Sequence, residues 1–110
     1  MMPVFRFELD HLVVGAQTLA EGCRFIGDLL GVSPVVGGVH HHMGTHNVLL
    51  SLGGSTYLEV IAIDPEGESP DRPRWFSLDN SDVQQVLEHG PQLLTWVART
   101  PDISELKRFS

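Results

Sequence analysis

Alternation of apolar and polar positions marks a strand over residues 5–14, in which Leu9, His11 and Val13 share one face and Asp10, Leu12 and Val14 the other. Thr18 then reads as a helix N-cap with Glu21 three positions on, the spacing of a capping box. Leu19, Cys23, Ile26 and Leu30 follow at helical spacing, widened by Phe25 and Leu29, and Gly31 suits the stop. Pro34-Val35-Val36 and Val39 predict a short strand; Gly37-Gly38 inside it predicts an edge or bulged one. Runs 46–52 and 56–63 flank Gly53-Gly54 and predict a hairpin. The acidic, turn-rich stretch 64–73 reads as a connector, and 82–89 as a short helix stopped by Gly90-Pro91.

The last segment repeats the first. Leu93 to Ala98 is again strand-like, and Asp102-Ile103-Ser104-Glu105 again has capping-box spacing. A shift of 84 positions lays Ile103 on Leu19, Glu105 on Glu21, Arg108 on Arg24 and Phe109 on Phe25; it also lays Thr95 on His11. Repetition of this kind signals a duplicated structural unit. Residues 1–64 therefore read as a βαβββ module, 65–91 as a linker with a short helix, and 92–110 as the first strand and helix start of an incomplete second module.

Two polar residues interrupt runs that are otherwise strand-forming. His11 sits in the first run and Glu59 in the last run of the module, and both are metal-ligand or acid/base side chains. Tyr57 shares the predicted face of Glu59 and borders the same cleft. His46 opens its run and is expected to look into the cleft, with Asn47 beside it fixing the loop. His40-His41-His42 reads as a polar loop, and Trp75, Phe76 and Trp96 as core or interface aromatics. Cys23 lies on the apolar side of its helix, where a buried, inert thiol is expected.

Composition narrows the class. At 110 residues the chain is one domain at most, and a net charge of −7 argues against a nucleic-acid partner. The first residues lack a basic region followed by an apolar one, no apolar run approaches membrane-spanning length, and Cys23 is the sole cysteine. These features lead us to expect a cytoplasmic protein with no membrane partner.

Leu9-Asp10-His11-Leu12-Val13-Val14, Gly44-Thr45-His46-Asn47 and Tyr57-Leu58-Glu59-Val60-Ile61 together resemble the N-terminal half of a glyoxalase-like domain protein. Pro73 to Phe76 and Leu94 to Thr100 add to the likeness. The superfamily is the vicinal oxygen chelate group, which includes glyoxalase I, extradiol dioxygenases and bleomycin-resistance proteins. The resemblance implies an α+β fold in which paired βαβββ modules make a cupped sheet, with ligands on the first and fourth strands of each module. Carried over, it makes His11 and Glu59 ligands of a divalent metal (Zn²⁺, Mn²⁺, Ni²⁺ or Fe²⁺). Without a metal Glu59 is expected to serve as the catalytic base, and the strand reading makes His46 and Tyr57 substrate-binding residues of the cleft. Thr95 stands at the second first-strand position and is a poor ligand. The implied function is small-molecule binding, with a lyase, isomerase or oxygenase acting on a substrate with adjacent oxygens. The alternatives are a metal-free ligand-sequestering protein of the bleomycin-resistance type, or a truncated interaction-only domain. A lone module exposes its pairing surface, so a homodimer or a longer natural chain is expected.

Overall fold

The computed structural model describes residues 6–101. Its elements run β1 (Glu8–Gly15), α1 (Leu19–Leu30), β2 (Val35–His40), β3 (Thr45–Gly53), β4 (Thr56–Ile63), a 3₁₀ turn (Trp75–Ser77), α2 (Ser81–Leu87) and β5 (Gln92–Arg99). One mixed sheet has the order β2-β3-β4-β1-β5. β4 pairs with β1 in parallel; every other neighbouring pair is antiparallel. This is the expected α+β architecture, with the βαβββ order complete by Ile63. The second capping box, at 102–105, lies outside the described residues.

The local signals act as predicted. Thr18 Oγ1 accepts the Glu21 N–H, and Gly31 closes α1 in the left-handed region at φ 72°. The 53–56 turn makes β3 and β4 a hairpin with Gly53 opposite Thr56. β2 is both an edge strand and a bulged one: Gly37 and Gly38 together face the single residue Asn47. α2 starts at Ser81 behind an Asn80 N-cap and is shorter than the 82–89 reading at its C-terminal end.

Two clusters cover the two faces of the sheet. Against α1 lie Val14, Val48, Leu58 and Val60, with Ile26 and Cys23 from the helix. On the opposite face Leu78 and Leu87 cover Val13 and Ile61, with Phe76, Val83, Leu94 and Val97 around them. That cover needs a sharp bend: Phe76 and Ser77 both have φ near 59°, in the left-handed region. Such a backbone costs roughly 1–2 kcal/mol per non-glycine residue. The burial of Leu78 and the packing of Phe76 offset it. Arg74 braces the bend by bonding Asp79 through its backbone N–H (2.7 Å) and guanidinium (2.6 Å), while its Nε donates to the Gly44 carbonyl. α2 and the bend thus cover one end of this face and leave the other open. The open end holds the site.

The β1–β5 ladder has an internal two-fold. Both strands begin and end 84 positions apart, Glu8 with Gln92 and Gly15 with Arg99. Glu8 pairs with Arg99 and Gly15 with Gln92; Leu9 with Ala98 and Val14 with Leu93; His11 with Val97 and Val13 with Thr95; Leu12–Trp96 lies on the axis. A shift of 84 therefore returns the same pairs. It also carries one bulge, at Asp10, onto the other, at Leu94.

Candidate functional site

On the open face a polar rail crosses all five strands. In the middle, His11 of β1 and Glu59 of β4 meet, with Nε2 3.2 Å from Oε1. Alternation puts both on the face away from α1, together with Tyr57. The parallel register sets Tyr57 opposite His11, and their rings stack at 4.5 Å with an interplanar angle of 10°.

Each member is held from its far side. Alternation alone would point Asp10 away from His11. The bulge in β1 instead leaves Asp10 as an extra residue between two pairs, and its Oδ2 reaches His11 Nδ1 at 2.6 Å. Arg99 of β5 then holds Asp10 Oδ1 at 2.9 Å and also bonds Glu8 and the Ser55 hydroxyl. The His11 hydrogen bond first, and the Arg99 bond next, lower the Asp10 pKa from its ordinary value. Burial, followed by the negative charges of Asp10 and Glu59, raises that of the Tyr57 phenol.

On the other side, Asn47 Nδ2 donates to Glu59 Oε2 at 2.7 Å. Its Oδ1 accepts the Gly38 N–H at 2.7 Å, which fixes which way the amide faces. Beyond it, His40 places Nε2 3.5 Å from Asn47 Nδ2 and Nδ1 2.9 Å from Thr45 Oγ1, and its ring meets the edge of Trp75. Trp75, His42, Met43 and Arg72 border a concavity of about 400 Å³ at this end of the rail. Glu59 is 6% exposed, a degree of burial that a carboxylate tolerates only when its oxygens are paired. Both are: Oε1 by His11, Oε2 by Asn47.

The expected residues therefore divide. His11, Glu59 and Tyr57 come together in the cleft. His46 does not join them, and its expected place in the cup is corrected. The β4 register sets Asn47 opposite Ile61 and Leu49 opposite Glu59, so Thr45 and Asn47 face the cup while His46 pairs with Ala62 on the α1 face with Val48. There it borders a hollow with Thr18 and Leu19, its Nδ1 4.0 Å from Asp64. Trp96 is not a core residue: it is 62% exposed. The sequence reading missed Asp10, Asn47 and His40 as members of the site. The one signal for Asn47 was the Gly-Gly pair opposite it; Asp10 left none in the alternation.

Bonds of about 2.1 Å to one ion put neighbouring donors roughly 3 Å apart, so the spacing of Nε2 and Oε1 fits two ligands of a single shell. Asp10 on Nδ1 is the carboxylate that such an imidazole commonly carries behind it. Among the described residues no group of three or more His, Cys, Asp or Glu side chains is placed to hold a metal. The chain thus presents two donors of the three or more usual in catalytic sites.

A βαβββ run folded into one mixed sheet, with a fifth strand added beside β1, is the glyoxalase type of α+β fold. The glyoxalase-like domain family matches residues 9–109, and the chain belongs to it. No curated protein matches in sequence. Among solved structures, methylmalonyl-CoA epimerase from Mycobacterium tuberculosis superposes with a TM-score of 0.59 at 19% identity. The match covers 92% of this chain and 60% of the epimerase, so this chain spans less than two thirds of that protein. Among the described residues no helix is long and apolar enough to cross a membrane.

Proposed function

We propose that the chain binds a small molecule with adjacent oxygens on the open face, at a divalent-metal site to which His11 and Glu59 are the protein donors it contributes. The observation that carries this reading is the approach of His11 Nε2 to Glu59 Oε1 at 3.2 Å on an uncovered sheet face. A bound divalent ion supplies Lewis acidity to the substrate oxygens. The chain's own residues do the rest. Asp10 fixes the His11 ring from behind, and Tyr57 stacks on it. Trp75 and His40 wall the β2 end. Without a metal, Glu59 would be the base that takes a proton from a carbon next to a carbonyl, a transfer that isomerase, lyase and epimerase chemistry share. The methylmalonyl-CoA epimerase likeness supports that class without naming a substrate. In this reading β5 is the first strand of a second unit, and the remaining donors come from that unit, a second copy, water or the substrate.

One observation favours a second reading. Among the described residues no buried side-chain polar atom lacks a partner, so the rail is closed without an ion. A metal-free protein would use the His11–Tyr57 stack as a rigid wall for a planar ligand.

Metal analysis by mass spectrometry, followed by calorimetric titration with Mn²⁺, separates the two. Stoichiometric metal in the full chain, lost in both His11→Ala and Glu59→Ala, is the expected result. A wild-type chain that takes up no Mn²⁺, Ni²⁺ or Zn²⁺ at millimolar excess overturns the metal reading.

A further inference from the structure

Resting on the reading of Glu59 as a metal donor, we infer that Asn47 is a positioning residue that turns Glu59 toward its task, and that the Gly37-Gly38 bulge is the lock that holds Asn47. Two residues facing one leave an extra N–H without a ladder partner. Here that N–H belongs to Gly38, and the single residue opposite, Asn47, caps it with Oδ1. The amide's acceptor end is then spent on β2, which leaves its donor end aimed at β4. Nδ2 takes Glu59 Oε2, and only Oε1 remains, facing His11 Nε2. A bulge in an edge strand thereby sets the rotation of a carboxylate two strands away.

The lock needs a glycine at one of its two positions. A Cβ at Gly37 would lie 2.1 Å from Asn47 Oδ1 and 3.0 Å from the Asn47 carbonyl oxygen. A Cβ at Gly38 meets nothing within 4 Å. Neither residue has a left-handed φ, so the same substitution at adjacent positions differs in whether it displaces Asn47.

The test compares Asn47→Ala, Gly37→Ala and Gly38→Ala in the full chain. It uses Mn²⁺ alone as the probe, with NMR of the His11 ring as a second readout. Supporting partners of a metal ligand typically contribute 10–100-fold in affinity, so Asn47→Ala and Gly37→Ala are expected to weaken Mn²⁺ binding by about that factor. Gly38→Ala should stay within about twofold, as an uncrowded surface change does. The His11 ring signals should move in the first two variants and stay in the third. A residue that merely capped the β2 bulge would not move a ring on β1. Wild-type affinity and unmoved ring signals in Asn47→Ala and Gly37→Ala overturn the inference, as does a Gly38→Ala chain that loses as much as Gly37→Ala. If Asn47→Ala does not fold, the two glycine variants decide by themselves. If the wild-type chain binds no Mn²⁺, the metal reading falls, and the ring signals alone then support or overturn the role of Asn47.

Discussion

β1 and β5 have the same backbone plan and opposite chemistry. The two-fold in their ladder carries one bulge onto the other, Asp10 onto Leu94, and the next residue, His11, onto Thr95. It also relates the contacts at those bulges. Asp10 is held by Arg99; its counterpart Leu94 presses on Gly15, where an added Cβ would come within 2.6 Å of Leu94 Cδ1. Arg99 and Gly15 are themselves related by the shift of 84. One end of the ladder is therefore a charged, open bulge, and the other an apolar bulge packed near Leu87 and Val13. The backbone supplies two equivalent places to turn an extra side chain onto the cup face. What separates a site from a core is which of them α2 covers.

The largest expected effect breaks this equivalence at its centre. His11→Ala removes an imidazole with a carboxylate on each side, whereas Thr95→Ala removes a hydroxyl that, among the described residues, bonds its neighbour's carbonyl. Mn²⁺ titration should show a loss of roughly a hundredfold or more for His11→Ala, and a change within about twofold for Thr95→Ala. Equal losses would mean that β5 already contributes to the site. The complementary variant, Thr95→His, places a second imidazole on the cup face and should tighten Mn²⁺ binding by about tenfold, roughly 1.4 kcal/mol.

Next in size is stability at the apolar bulge. Leu94→Ala strips a side chain from the cluster around Leu87, where truncation of a partly buried leucine costs about 2 kcal/mol. Urea unfolding should show that loss with an unchanged slope, while Asp10→Ala should lose less. Gly15→Ala tests the same contact from beneath: crowding Leu94 is expected to cost about 1–3 kcal/mol. A neutral Gly15→Ala would mean that the bulge is looser than its geometry.

The same contrast explains what was legible in the sequence. Periodicity carries the faces of long runs, so α1, the β3–β4 hairpin and the shared face of His11, Tyr57 and Glu59 could all be read from it. The shift of 84 was legible in the strands as well: β1 and β5 start and end at that spacing, and their ladder has the same shift. Bulges escaped. A bulge breaks alternation by one residue, and side-chain direction flips with it. Asp10, the residue nearest His11 Nδ1, was for that reason assigned to the wrong face. His46 failed on parity too: it shares the α1 face with Val48, and Asn47 opposite Ile61 takes the cup side. Asn47 needed two facts that no linear pattern holds, the β2–β3 register and the spare N–H of Gly38.

The smallest expected effect lies in acid. The Asp10 pKa is lowered in the folded chain, by His11 first and Arg99 second. A carboxyl whose folded pKa lies below its unfolded value stabilises the fold above the unfolded pKa, about 3.9, and loses that contribution as pH falls through the folded value. The window is therefore below about pH 4. Leu94, at the equivalent bulge, cannot titrate, so this acid sensitivity belongs to one end of the ladder only. Denaturation of the wild-type chain between pH 5 and pH 2 should show a steeper decline than that of Asp10→Asn, which cannot gain the proton. The two curves should converge at the acid end, where both side chains are neutral. Parallel curves throughout would show that Asp10 titrates alike in the folded and unfolded chain, and that the charged bulge does not anchor β5 to β1.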